Sequence, residues 1–190
     1  MQLMEDMVLR EGKVLPGGIL KVGSFLNQQI DTKLLKEMGD EIARLFSQSK
    51  VTKVLTIESS GIALAYAAAV SLGVPMVFAK KHKSSNLAGN ILTSKVFSYT
   101  HQQTYDIMVS ADYITSGDNI LIVDDFLAMG NALNGLIDIV GQAGASLAGC
   151  AIAIEKGFQG GGDALRAKGI RVESLAIVDR MTDDSLEFRP

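Results

Sequence analysis

The sequence predicts an α/β fold with a central, mostly parallel sheet flanked by helices, and three observations lead there. Short apolar runs recur along the 190 residues, punctuated by glycine and proline. Between them lie stretches whose apolar residues repeat at helical spacing. The runs near 53–57 and 119–124 are almost continuously apolar, as parallel strands covered on both faces must be.

The elements follow in chain order. MQLMEDMVLREGK reads as a short amphipathic helix. Residues 13–29 hold glycines, one proline and a short strand near 19–22, which suits a small flap or hood. Asp31 is placed to cap a helix running to about Ser49, with Leu34, Leu35, Met38, Ile42, Leu45 and Phe46 on one face. Lys53–Ile57 is a buried strand, 62–72 an alanine-rich helix ended by Gly73, and 75–79 a second strand. The polar, basic stretch 80–90 breaks the alternation and reads as a mobile loop. It leads into a hairpin formed near Ile91–Ser98 and 105–111. A third strand at 119–124, a helix at 131–143 and a fourth strand at 146–155 complete the pattern. One domain spans 1–190, with a hood from roughly 13–30 and the C-terminal part.

Composition removes several classes of function. Apolar residues make up 47% of the chain, enough for a substantial core, and the net charge of −3 lacks the basic footprint of a nucleic-acid binder. No apolar run approaches a membrane span, and the N-terminus does not read as a signal peptide. Cys150, the single cysteine, falls inside an apolar strand, which leaves no internal disulfide or cysteine metal site. The expectation is a cytoplasmic protein without a membrane or nucleic-acid partner.

The chemistry concentrates in NILIVDDFLAMGNA. Its apolar run is expected to end in Asp124 and Asp125, and Gly130 then opens a helix. In an open α/β sheet, ligands bind beyond the carboxyl ends of the strands. Adjacent acids there can take sugar hydroxyls or a metal, while small residues at a helix N-terminus let backbone N–H groups hold a phosphate. One acid and one glycine would only terminate a strand; the whole pattern points to a sugar phosphate. Elsewhere, ESSG at 58–61 can present N–H groups to an anion or cap a helix through Ser59 or Ser60. Lys80, Lys81, His82 and Lys83 can close over a polyanion or be a solvated face. Lys156 ends a strand, where a lysine often snorkels to solvent.

ILIVDDFLAMGNA resembles the phosphoribosyl diphosphate signature of type I phosphoribosyltransferases. ILKVGSFLNQQID, TIESSGIA, KKHKS and IEKGFQ extend the resemblance, in the family's order, across almost all of the chain. It is closest to bacterial members that use xanthine. The resemblance implies purine salvage: phosphoribosyl transfer from 5-phosphoribosyl 1-diphosphate to xanthine, with Mg²⁺ held mainly by that substrate rather than by protein side chains. Asp124 and Asp125 would then face the ribose hydroxyls. Ala128, Met129, Gly130, Asn131 and Ala132 would cradle the 5-phosphate. Ser59 and Ser60 would lie in a turn that contacts diphosphate and often holds a non-proline cis peptide. Lys81 would reach the diphosphate as the loop closes. Leu20, Asn27, Lys156 and Phe158 would hold the purine, and a homodimer is usual.

Two departures bear on this assignment. Many relatives carry threonine or serine in the phosphate loop, whereas here only Asn131 brings a polar side chain. The hypoxanthine/guanine branch carries an aspartate, proposed to handle the purine N7 proton, where this chain has Ala128. Adenine- and xanthine-type relatives also have alanine there. Lys156 can donate but not accept, which favours an oxo purine over adenine. Guanine, hypoxanthine and adenine remain the alternative bases. A purine regulator of the same fold would need a DNA-binding domain before the first long helix, where only about thirty residues stand. A dinucleotide-binding oxidoreductase would need a G-x-G-x-x-G turn, which the sequence lacks.

Overall fold

Strands and helices alternate as the sequence anticipates, and the computed structural model describes residues 1–81, 89–98 and 103–190. The expectations for His82, Lys83 and most of the 80–90 loop lie outside the described residues.

Helix α1 (Gln2–Glu11) is followed by a small antiparallel hairpin, β1 (Lys13–Leu15) with β2 (Ile19–Lys21), and a π-helical turn, Gly23–Asn27. Helix α2 (Thr32–Leu45) starts where Asp31 accepts hydrogen bonds from the Lys33 and Leu34 amides at 3.0 and 3.1 Å. A cap of this kind contributes about 1 kcal/mol. The helix stops four residues before Ser49, because the backbone leaves helical geometry at Phe46 and the Ser47 hydroxyl bonds back to the Arg44 carbonyl. Strand β3 (Lys53–Ile57), helix α3 (Gly61–Leu72) and strand β4 (Met76–Ala79) follow. Gly73 adopts φ 69°, the left-handed conformation that ends a helix at little cost.

Strands β5 (Ile91–Ser98) and β6 (Gln103–Ser110) form the expected hairpin. It meets the main sheet through a single bridge between Lys80 and Met108, and it lies against α4 (Asn131–Gln142). Strand β7 (Asn119–Leu127) is longer than the sequence suggests. It continues three residues past Asp124, because its parallel neighbour β8 (Ser146–Lys156) keeps pairing with it through Leu127 and Glu155.

The last thirty residues add three elements: α5 (Gly161–Ala167), β9 (Val172–Met181) and β10 (Leu186–Phe188). Six of the described strands form the main sheet in the order β10–β9–β8–β7–β3–β4, parallel except for β10. The C-terminal strands thus complete the sheet, while Met181 approaches the tip of the β1–β2 hairpin at Gly18.

Period-2 alternation along β7 explains its unbroken apolar run. Leu121 and Val123 enter a core with Met38, Ile42 and Leu64 from α2 and α3. Ile120 and Ile122 enter a second core with Leu136, Ile139 and the hairpin residues Val96 and Ile107. Both faces are covered, so both registers must be apolar. This leaves the carboxyl ends of β3, β7 and β8 as the polar edge where the candidate residues gather.

Candidate active site

A cavity of ≈ 590 Å³ lies at that edge, between the turn after β7 and the β1–β2 hairpin. Residues 128–132 form one wall, Gly17, Gly18 and Ile19 another, and Lys156 and Gln159 project from the end of β8. Val96, Phe97 and Tyr105 of the long hairpin close the side.

The phosphate-loop candidates form the start of α4. Gly130 has φ 85°, a conformation that disfavours side chains, and no side chain caps the helix. The first intrahelical bond runs from the Asn134 amide to the Gly130 carbonyl, which also accepts from the Asn134 side chain at 2.8 Å. The amides of Asn131, Ala132 and Leu133 stand in the first turn, where α-helical geometry offers no backbone acceptor. With the helix dipole, they make an anion-binding mouth. The Asn131 side chain donates at 3.0 Å to the Phe97 carbonyl, tying the loop to the hairpin. Met129 is 47% exposed, an apolar side chain at the cavity wall. Nothing in the structure explains this choice of residue.

Asp124 and Asp125 are both buried and, as neighbours on a strand, point to opposite faces. Asp125 accepts a long 3.5 Å hydrogen bond from the Asn27 side chain. Asp124 Oδ1 accepts from the Asp125 amide at 3.0 Å. Burial, reinforced by the charge of Asp125 and opposed by Lys81, pushes the Asp124 carboxyl well above the usual carboxylate range.

The Glu58–Ser59 peptide is cis, at the turn where the resemblance implied such a bond. Ser60 occupies the N-cap position of α3, yet its side chain makes no capping bond. The Glu58 carboxylate accepts from the Lys81 amide at 2.6 Å, which joins this turn to the start of the basic loop. Lys81 Nζ lies 5.4 Å from the centre of the Tyr105 ring. Burial, helped by Asp124, raises the Tyr105 hydroxyl's pKa.

On the far side of the cavity Lys156 donates at 2.8 Å to the Gly18 carbonyl and lies 5.7 Å from the Phe126 ring centre. Burial lowers its pKa from the ordinary lysine value. Phe158 is 41% exposed and sits beside Gly18. Leu20 packs into the core with Met38 and Ile42, while its neighbour Ile19 lines the cavity. The structure therefore brings residues 128–132 and Lys156 to one cavity. It places Asn27 on Asp125 and leaves Leu20 behind the wall.

Phe126, Gln159 and Tyr105 line the cavity, and sequence reasoning missed them. Phe126 was legible in principle, two residues past an acid that continues its strand. The others depend on how the hairpin and loops fold back.

The Glu155 carboxylate, on the strand residue before Lys156, is wholly buried. It accepts from both terminal nitrogens of Arg166, at 2.9 and 2.7 Å, and from the Ser174 hydroxyl. A buried charge needs such pairing, and here the pairing fixes the strand end that presents Lys156. Cys150 sits deep in β8, where burial pushes its thiol up to about 12, so it is inert.

No cluster of three or more His, Cys, Asp or Glu side chains suited to a metal occurs among the described residues. Asp124 and Asp125 do not form a protein cage, so a divalent ion would take most of its ligands from substrate oxygens and water. No helix among the described residues is long and apolar enough to cross a membrane.

Residues 26–179 match the phosphoribosyl transferase domain family. A protein named xanthine phosphoribosyltransferase from Lachnoclostridium phytofermentans is 51% identical over 100% of this chain and 98% of its own length. One of the same name from Oceanobacillus iheyensis is 49% identical over 100% and 97%. Among solved structures, adenine phosphoribosyltransferase from Rhodothermus marinus superposes with a TM-score of 0.76 at 24% identity, covering 94% of this chain and 100% of that one. The Giardia lamblia adenine enzyme complexed with 9-deazaadenine gives 0.76 at 24% identity, over 92% and 96%. These structural likenesses speak for the fold alone.

Proposed function

The chain belongs to the phosphoribosyl transferase family, and on that premise we propose that it transfers the 5-phosphoribosyl group of 5-phosphoribosyl 1-diphosphate to xanthine, in purine salvage. The products are xanthosine 5′-monophosphate and diphosphate. The observation that carries this reading is a cavity in which an uncapped helix N-terminus at 130–132 faces a half-buried lysine, Lys156. One end suits a phosphate and the other an oxygen-bearing base. Relatives bearing the xanthine name, about 50% identical over the whole chain, support the choice of base.

The mechanism needs positioning more than covalent chemistry. The α4 amides and Gly130 would hold the 5-phosphate, and the carboxylates of Asp124 and Asp125 would take ribose hydroxyls. Ser59, Ser60 and Lys81 would face the diphosphate. A Mg²⁺ ion bound through the diphosphate would neutralise charge on the leaving group. As the C1–diphosphate bond breaks, a ring nitrogen of the base bonds to C1, and the ring proton passes to the departing diphosphate or to water. No carboxylate stands at Ala128 to accept that proton, so xanthine, a more acidic purine than hypoxanthine, suits this loop. Lys156 would donate to an exocyclic oxygen, Asn27 would hydrogen-bond the base, and Phe158 would stack on it. Leu20 would support this pocket from behind Ile19. Residues 13–30 act as the hood of a single domain, and its closure over the substrates would exclude water.

The substrate phosphates are multiply charged and do not cross membranes unaided, which supports placing the protein in the cytoplasm. Exposed apolar residues on α3 and β4 support a homodimer. Steady-state kinetics on xanthine, guanine, hypoxanthine and adenine, with and without Mg²⁺, test the reading. Xanthine with Mg²⁺ is expected to give the highest kcat/KM; adenine as the best base would overturn the assignment.

A further inference from the structure

Thr56, near the end of β3, is wholly buried, and its hydroxyl is the buried side-chain oxygen without a hydrogen-bond partner among the described residues. Leaving a buried hydroxyl unpaired costs about 1–3 kcal/mol, so such a group calls for a reason. Its surroundings supply one. A Cβ built on Gly61, the first residue of α3, would lie 2.6 Å from Thr56 Oγ1 and 2.5 Å from Asp124 Oδ1. The two oxygens therefore flank the same patch of bare backbone. Gly61 has no positive φ that would call for glycine, and alanine is the better helix former by about 1 kcal/mol. Its lack of a side chain keeps open the space shared by the hydroxyl and the carboxylate.

We propose that Thr56 is a positioning residue for Asp124: its hydroxyl donates across the face of Gly61 to the carboxylate through one water, and holds it toward the ribose of the bound phosphoribosyl diphosphate. The inference rests on the reading that Asp124 binds the ribose. A hydroxyl can donate to a carboxyl oxygen whether Asp124 is neutral or ionised, so the pairing does not depend on the state of the acid. Asp125 is already served by Asn27, and Asp124 Oδ1 has the Asp125 amide as a donor. Thr56 adds a second donor from a strand that does not carry the acids. It thereby links the turn at 58–61 to the carboxylate of β7.

Initial-rate kinetics on the full chain, with both substrates varied, test this for Thr56→Val, Thr56→Ser, Gly61→Ala and Asp124→Asn. Valine keeps the shape of threonine and removes the hydroxyl. It is expected to raise KM for phosphoribosyl diphosphate about tenfold, as for loss of one hydrogen bond, with KM for xanthine within twofold. Serine restores the wild-type value to within about threefold. Gly61→Ala, which puts a methyl between the oxygens, reproduces the valine phenotype and keeps the test alive if valine impairs folding. Wild-type kinetics for Thr56→Val or Gly61→Ala, beside an impaired Asp124→Asn, would overturn the inference alone. An equal loss with both residue-56 variants, without the KM split, would also overturn it. Wild-type kinetics for Asp124→Asn would remove the ribose reading and this inference together.

Discussion

At the scale of single residues, Lys156 shows how environment selects a chemistry. Its ammonium is held between the Gly18 carbonyl and the Phe126 ring, and burial lowers its pKa. The charged form, which can donate, is thus lost at lower pH than for an exposed lysine. Binding that needs this charge weakens as pH rises through the lowered value. Lys156→Arg keeps the charge, since guanidinium does not titrate in this range. It is expected to move the alkaline limb of kcat/KM for xanthine to higher pH relative to the native chain. Lys156→Met is expected to raise KM for xanthine about tenfold or more, with KM for phosphoribosyl diphosphate within threefold. Equal changes in both constants would place Lys156 outside the base site. Ala128 poses the complementary question, because it lines the same cavity without a polar side chain. An aspartate introduced there would set a proton acceptor near the base and a negative charge near the phosphate. Ala128→Asp is expected to raise hypoxanthine turnover relative to xanthine in a two-base competition while weakening phosphoribosyl diphosphate binding.

At the scale of elements, the phosphate loop is held from below by glycine packing. A Cβ on Gly161 would sit 2.2 Å from the Ala128 carbonyl oxygen and 2.7 Å from the Gly130 amide nitrogen, and the Gly161 amide donates to Ala128 at 3.2 Å. These are backbone atoms, so the loop itself would have to move. Gly161→Ala is expected to raise KM for phosphoribosyl diphosphate about tenfold and to lower Tm by several degrees; an unchanged KM would mean the loop shape is not critical. The opposite end of the sheet carries a different device. Burial alone would raise Asp118, but bonds from the Thr115 amide and hydroxyl, Lys53 and Thr52 outweigh it and hold its pKa at about 2. Its folded value lies below the model-peptide 3.8, so its stabilisation is present above pH 4 and disappears as pH falls through about 2. Asp118→Asn is expected to cost about 1 kcal/mol at pH 7 after solvent screening, and less near pH 2, by urea denaturation. Legibility also divides by element. β3, α3 and α4 could be read because apolar period and glycine stops agree. The sequence alone suggests a shorter β7, because a carboxylate usually ends an apolar run, whereas the ladder to β8 carries it to Leu127. α5 begins with two glycines, the opposite of a helix signal, because contact with the phosphate loop outweighs propensity there.

At the scale of the molecule, the sequence motifs fix which strand ends carry chemistry, but not which strand neighbours which. Placing β7 between β3 and β8 brings the turn at 58–61, the acids and Lys156 to one edge, and that order is set by long-range packing. The same packing leaves several large apolar side chains on the outer surface. Tyr66 and Val70, one helical turn apart on α3, are each 62% exposed. β4 is an edge strand, and its Met76 and Phe78 border a second cavity of ≈ 380 Å³ with Tyr113, itself 62% exposed. An apolar helix face and an edge strand are costs for a free monomer. A second copy of the chain would cover them with the roughly 800 Å² per partner that a stable interface requires. Sedimentation velocity at micromolar concentration is expected to give about twice the 20.3 kDa chain mass. Combining Tyr66→Glu with Val70→Glu is expected to yield monomer, since each buried carboxylate would lack a partner. A native chain that sediments as monomer would overturn the dimer, whereas a double variant that remains dimeric would move the interface off α3. The substitutions lie on the exposed face of α3, away from residues 128–132 and Lys156, so comparing the activity of monomer and dimer also tests whether each copy holds a complete site.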